Sequence, residues 1–324
     1  MTTETYRAGF DVGGTNARVH LFDGDHRPVG GLRRRIREAS APRQIADTLV
    51  EMLAKTCGDH DVSLGTVDAV GIGLAGQLSA DRRIVKNAPN LAWRDVDFVD
   101  HFADAWSADT DTGDVPSIQL INDLSAQLLG EYLDGAVAGI DDVLAVYVGT
   151  GIGGAILADG RLVTGTSNNA GEIGHSKVVV GGRPCGCGEN GCVEAYAGGI
   201  HLERIVAGLV DDTGDELADL ETDQGIDLSA ADELVASHHH IGDIWEEATD
   251  FLSLVIANAV TLLNPKALLI GGGVFDNCHN FRAMTLQKTV PIVLEVARQE
   301  LEIARAESGD MAGMLGAAAL AARD

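Results

Sequence analysis

Apolar and polar residues alternate along the first thirty residues after Tyr6. The pattern predicts three strands, over about Tyr6–Asp11, Arg18–Phe22 and Pro28–Ile36. "DVGGTN" makes the first turn between them and "DGDHRP" the second. The period then lengthens to that of a helix over about Ala41–Cys57, with Ser40 as its N-cap and Gly58 near its end. "VDAVGIGLAG" is a buried strand that runs into a glycine turn. "SIQLI" is another strand, and "LSAQLLGEYL" is a helix directly after "ND". Asp211 to Gly225 is acidic without a strong period and reads as an exposed loop. Helical patterning resumes at "AADELVASHHH" and continues through "IWEEATDFLSLVIANAVTLL", one long helix that Asn264-Pro265 stops. "KALLIGGGVF" is a buried strand ending in three glycines. The tail "GMLGAAALAAR" is a small-residue helix suited to close packing against a neighbour.

Two stretches share one pattern. "FDVGGTNARVHLFDGDHRPV" and "VYVGTGIGGAILADGRLV" both read as strand, Gly/Thr-rich turn, apolar strand, Asp-Gly turn, strand. Such a repeat implies a duplicated α/β unit. At 324 residues the chain exceeds one typical core. The expectation is therefore two similar lobes that face one another across a central cleft. The small lobe is expected to comprise residues 1–120 plus 309–324, and the large lobe 121–308.

Composition narrows the setting. The hydrophobic share is 45%, with no apolar run long enough for a membrane span. The start "MTTETYRAGF" lacks the basic and apolar regions of a signal peptide. A soluble cytoplasmic protein without a membrane partner is expected. Net charge is −26, from 49 acidic against 23 basic residues. Nucleic acid is excluded as a partner on this ground, because nothing offers a basic stripe to phosphates. The short basic run Arg33 to Arg37 reads as a solvated strand end. Diffuse surface acid suits a salt-rich interior, where self-repulsion is screened; a halophilic source is expected.

Three of the five cysteines, Cys185, Cys187 and Cys192, lie within eight residues, shortly after His175. In a cytoplasmic chain such a cluster favours metal over disulfide. Cys57 and Cys278 stand alone and read as apolar residues. The tract His238 to His240 reads as a solvated helix end.

Glycines after a strand let backbone N–H groups approach phosphate oxygens. Gly13-Gly14-Thr15 and Gly149-Thr150-Gly151 are such turns. Asp11, just before the first, is placed to hold hydrated magnesium beside phosphates. The second turn has Tyr147 at the matching place, so the two hairpins are not equivalent. Asn122-Asp123 marks a strand-to-helix junction between the repeats. Asp123 there either caps the helix or takes a proton from a substrate hydroxyl.

The order "DVGGT", "IND", "VGTGIGG", "AGEIGH", "CGCGENGCVE", "LLNP…IGGG" resembles the ROK family of sugar kinases, in the actin-like ATPase (ribonuclease H-like) superfamily, and most of all its glucokinases. The likeness spans essentially the whole chain. It implies ATP-dependent phosphorylation of a hexose 6-hydroxyl, with glucose as the leading substrate and fructose, mannose or an N-acetylhexosamine as alternatives. By position, Asp123 matches the general base. Asn90, Asn122, Glu172, His175 and Glu194 match sugar ligands. Asp11, Gly13, Gly14 and Thr15 match the first phosphate motif, Gly149, Thr150 and Gly151 the second. Gly271, Gly272 and Gly273 match the loop beside adenosine. His175, Cys185, Cys187 and Cys192 match the family's zinc ligands, a closed set of one nitrogen and three sulfurs suited to a structural ion. ATP and magnesium are the implied cofactors, and homodimers or homotetramers the implied assemblies. Sugar-responsive regulators in the family carry a DNA-binding segment ahead of the first phosphate motif, for which the dozen residues here leave no room. Two departures bear on sugar choice. "INDLS" stands where the family shows Glu-Asn-Asp-Ala-Asn, and "AGQ", Ala75 to Gln77, where it shows Pro-Gly-Pro.

Overall fold

The computed structural model of the chain describes residues 5–36, 41–110, 114–213, 217–307 and 309–322. Ser40, the expected N-cap, and Arg37 lie outside them. The chain forms two compact units: residues 1–139, 161–170 and 306–324, and residues 140–160 and 171–305.

The first unit is built on β1 (Tyr6–Val12), β2 (Asn16–Asp23), β3 (Pro28–Arg35), β4 (Val67–Leu74) and β8 (Ser117–Asn122), in the order β3-β2-β1-β4-β8. The strands β5 (Gln77–Leu78), β6 (Ile84–Ala88) and β7 (Trp93–Asp97) form a small antiparallel sheet of their own. Alternation decides what each face of the main sheet meets. Ala8, Phe10 and Val12, with Val70, Ile72 and Leu74, join Leu49, Leu53, Phe102 and Trp106 of the helices Pro42–Asp59 and Phe98–Asp109 in one core. The intervening Gly9 and Gly71 face the helix Gly309–Ala321. A β-carbon on Gly9 would overlap the Met314 carbonyl oxygen, and one on Gly71 the Ala317 carbonyl oxygen. The same helix packs on Asp123–Asp134, where Gly130 meets Ala312 and Gly316 meets Ala126. This close packing draws Asp123–Asp134 into the first unit. The division expected after residue 120 therefore differs from the compact units, of which the first runs on to residue 139 and adds 161–170.

The second unit repeats the plan. After β9 (Val143–Val148) and β10 (Ile152–Ala158), and past β11 (Arg161–Leu162), which falls in the first unit, come β12 (Glu221–Thr222), β13 (Gly225–Ile226), β14 (Ala267–Gly271) and β15 (Glu302–Arg305). The order β10-β9-β14-β15 reproduces β2-β1-β4-β8, with one antiparallel hairpin followed by parallel pairs in both. Leu144, Val146, Val148, Leu268 and Ile270 pack on Leu202, Val206, Trp245, Leu252, Phe275 and Phe281 from the covering helices.

The single long helix expected from "AADELVASHHH" onward is instead two, Leu228–Glu233 and His239–Leu263. Buried Asp232 explains the break. Its Oδ1 accepts from Trp245 Nε1 at 2.8 Å and from the Phe281 N–H at 2.8 Å, and its Oδ2 from the Asn280 N–H at 2.7 Å. His238 restarts the chain as an N-cap, its Nδ1 3.4 Å from the Ile241 N–H. The histidine tract thus lies at a helix start. The longer helix ends at Asn264, in the left-handed region at φ 48°, just before Pro265. No helix among the described residues is long and apolar enough to cross a membrane.

Candidate active site and metal centre

In the first unit, parallel register brings three sequence-distant segments to one edge. Val12, Leu74 and Asn122 are aligned across β1, β4 and β8. The loops that leave these strand ends are Gly13–Thr15, Ala75–Gly76 and the Asn122-Asp123 junction. Carboxyl ends of parallel strands are where α/β sheets bind ligands. The first turn is closed by the Gly13 N–H donating to the Asn16 carbonyl at 2.9 Å. Asn90 sits in a short turn, Pro89–Leu91, whose backbone closely approaches the Gly13–Thr15 turn; a β-carbon on Gly14 would come within 2.7 Å of the Asn90 carbonyl oxygen. Asp11 and Arg18 are cross-strand partners, and Arg18 Nη1 lies 2.6 Å from Asp11 Oδ2.

The cap at the β8 junction is Asn122. Its Oδ1 accepts from the N–H groups of Leu124 at 3.1 Å and Ser125 at 3.2 Å. Its amide nitrogen is 3.5 Å from the Gly76 carbonyl, inside the "AGQ" segment. Asp123 is the first helical residue and half-buried, with Oδ1 3.0 Å from the Leu124 N–H. With Asn122 serving as cap, the Asp123 carboxylate stands in the first turn, at the positive end of a helix.

In the second unit, a cavity of about 710 Å³ opens beside Gly149, Thr150 and Gly273. Glu203, Asp223, Gln224, Asp227 and Asn277 complete much of its wall. The sequence reading did not single out these residues. They arrive from separate helices and the β12–β13 hairpin, with no shared motif. The second glycine turn is fastened from behind: the N–H groups of Gly199 and Ile200 donate to the carbonyls of Gly149 and Thr150, both at 2.9 Å. Gly271 is the buried end of β14, and Gly272 takes φ 95° over the Val148 backbone. Gly151 faces Glu194, whose Oε2 accepts from the Ile152 N–H at 2.9 Å. The Glu194 carboxylate and the Gly149–Gly151 turn are thereby tied together.

The metal-type cluster is assembled. One ligand atom from each of His175, Cys185, Cys187 and Cys192 lies within 4.8 Å of the others. Zinc–sulfur bonds of about 2.3 Å in a tetrahedron imply edges of about 3.8 Å. Cys187 Sγ to Cys192 Sγ is 3.7 Å, and Cys185 Sγ to His175 Nδ1 is 3.7 Å. Donor types and spacing thus fit zinc. His175 turns Nδ1 to the cluster and Nε2 toward Glu172 Oε2, 3.7 Å away. Cys185 Sγ also reaches Glu194 Oε1 at 3.5 Å. The cluster touches both expected sugar ligands on its flanks. Cys57 and Cys278 are buried elsewhere. Burial pushes the Cys57 thiol up to about 11; burial, then the Asp232 and Asp227 carboxylates, push Cys278 up to about 12. Both stay protonated and unreactive.

The ROK family model matches residues 7–324, and the chain belongs to the ROK family. Its fold is the actin-like ATPase (ribonuclease H-like) fold of the ROK sugar kinases that it resembles. It is 30% identical over 277 residues to a glucokinase of Halalkalibacterium halodurans, covering 84% of this chain and 81% of that enzyme. It is 29% identical over 328 residues to an N-acetyl-D-glucosamine kinase of Salmonella gallinarum, covering 96% and 98%. Among solved structures, a ROK family glucokinase from Streptomyces griseus in complex with glucose and AMPPNP aligns with a TM-score of 0.77 at 29% identity, over 98% of this chain and all (100%) of that one.

Proposed function

We propose that the chain is an ATP:hexose 6-phosphotransferase that acts on glucose, as a cytoplasmic homodimer or homotetramer with no nucleic-acid partner. The observation that supports this reading is the register of β1, β4 and β8, which aligns Val12, Leu74 and Asn122, so that the Gly13–Thr15 turn and the Asn122-Asp123 junction leave the same edge of one sheet. Asp123 takes the proton of the sugar 6-hydroxyl. The freed oxygen forms a bond to the γ-phosphorus of ATP, and the bond from that phosphorus to the ADP oxygen breaks. Catalysis of this kind rests mainly on positioning and charge neutralisation. In the turns Gly13–Thr15 and Gly149–Gly151, the backbone N–H groups of Gly14, Thr15, Thr150 and Gly151 serve the phosphates, while those of Gly13 and Gly149 close the turns onto the Asn16 and Gly151 carbonyls. The cavity beside Gly149 and Gly273 takes the nucleoside, with Gly271 and Gly272 leading from the end of β14 into Gly273. Asn90, Asn122, Glu172, His175 and Glu194 orient sugar hydroxyls. Asp11 would hold magnesium, which supplies charge neutralisation at the phosphates. His175, Cys185, Cys187 and Cys192 would hold zinc, which supplies rigidity to the loop.

A second sugar has support of its own: the N-acetyl-D-glucosamine kinase likeness covers nearly the whole chain, and "AGQ" touches Asn122. A coupled ADP-release panel over glucose, fructose, mannose, N-acetylglucosamine and N-acetylmannosamine separates the two readings. The highest kcat/KM is expected for glucose; a higher value for another sugar reassigns the substrate. Sugar binding with no turnover on any of them would make the chain a sensor.

Asp123→Asn is expected to lower kcat by at least a thousandfold while glucose still binds. Turnover within tenfold of the parent removes Asp123 from the role of base.

A further inference from the structure

Lys177 lies two residues beyond His175, and its Nζ is 3.0 Å from Cys192 Sγ. The contact is set by the backbone, because Lys177 and Cys192 are paired in an isolated antiparallel bridge. The Cys192 side of this pair is fully buried, whereas Lys177 is exposed and reaches inward to the sulfur. Charge counting shows what it does there. Three thiolates and a neutral imidazole around a divalent ion sum to −1, in a chain whose net charge is already −26. A lysine ammonium on one sulfur brings the set to zero. An N–H···S hydrogen bond also fixes that sulfur in place within the set.

We propose that Lys177 is a positioning residue of the metal centre: its ammonium neutralises the Cys3His set through Cys192 and slows loss of the ion. This rests on the zinc reading and not on the sugar-kinase reading. The cluster's other contacts explain its shape; Lys177 is the contact that explains its charge.

The test uses the full chain loaded with zinc, with metal content measured first by elemental analysis. Zinc transfer to a chromophoric chelator is then followed for the parent, Lys177→Met, Lys177→Arg and, as a surface control, Lys55→Met. Release is expected to be about tenfold faster in Lys177→Met, near the parent rate in Lys177→Arg, and unchanged in Lys55→Met. Far-UV circular dichroism before release is expected to match in all four. A parent chain that takes up no zinc overturns the zinc reading and this inference with it. A zinc-loaded parent whose release rate is matched within twofold by Lys177→Met overturns the role of Lys177 alone. Equal acceleration in Lys55→Met also overturns it, because the effect would then be net charge rather than the contact.

Discussion

Cys187 shows how one side chain would link the proposed metal centre to the proposed sugar ligands. It is the exposed member of the cluster, yet its sulfur is 3.7 Å from Cys192 Sγ, and the same cluster holds His175 against Glu172. Cys187→Ser is expected to lose zinc and to weaken sugar binding at least tenfold, with ATP binding changed less than threefold. Elemental analysis and titration calorimetry with each ligand check this; unchanged sugar affinity in a zinc-free variant rejects it. Gly151 offers a matching test from the other side. A β-carbon there meets the Glu194 carboxylate, which must then leave the Ile152 N–H. Gly151→Ala is therefore expected to raise the KM for sugar and for ATP together. At this scale the cluster was open to sequence reading because its four residues fall within eighteen positions. The cavity beside Gly149 and Gly273 was not: Glu203, Asp227 and Asn277 meet only after three helices have packed.

The C-terminal helix Gly309–Ala321 is the element with the tightest requirements. Four glycines, Gly9, Gly71, Gly130 and Gly316, stand where backbones touch, and at each a β-carbon would overlap a carbonyl oxygen. Gly71→Ala forces the helix from the sheet and is expected to cost about 1–3 kcal/mol. Urea denaturation of parent and variant measures it; a loss below about 0.5 kcal/mol would show that the helix shifts freely. The composition of the helix already implied close packing, but the glycines that receive it lie on β1, β4 and Asp123–Asp134, out of reach of a local reading. The broken helix at residues 234–238 has the same cause. "AADELVASHHH" carries no glycine or proline to mark a stop. The stop comes from Asp232, whose partners Trp245, Asn280 and Phe281 are 13 to 49 residues away. Asp232→Ala would leave three donors unpaired, those of Trp245 and Phe281 buried, and a stability loss of about 3 kcal/mol is expected.

Over the whole molecule, the duplicated hairpin was legible because each copy keeps its own strand, turn and strand in one stretch of chain. The unit boundaries were less so, because residues 161–170 and 306–324 return to the first unit from far along the chain. Charge also acts at this scale. With 49 acidic and 23 basic residues, self-repulsion is expected to ease as salt rises, since the Debye length falls to about 3 Å at 1 M. The melting temperature and activity are both expected to climb between low and molar KCl; a melting temperature that is flat or falls rejects a halophilic design. The C-terminal helix, finally, sets a timetable for synthesis. It emerges from the ribosome roughly 15–60 s after β1 at about 5–20 residues per second. Every segment of the second unit, up to residue 305, is made before it. The unit begun first is thus completed last. A nascent chain halted before residue 309 presents the uncovered faces of Gly9 and Gly71, a surface for chaperones to shield until translation ends.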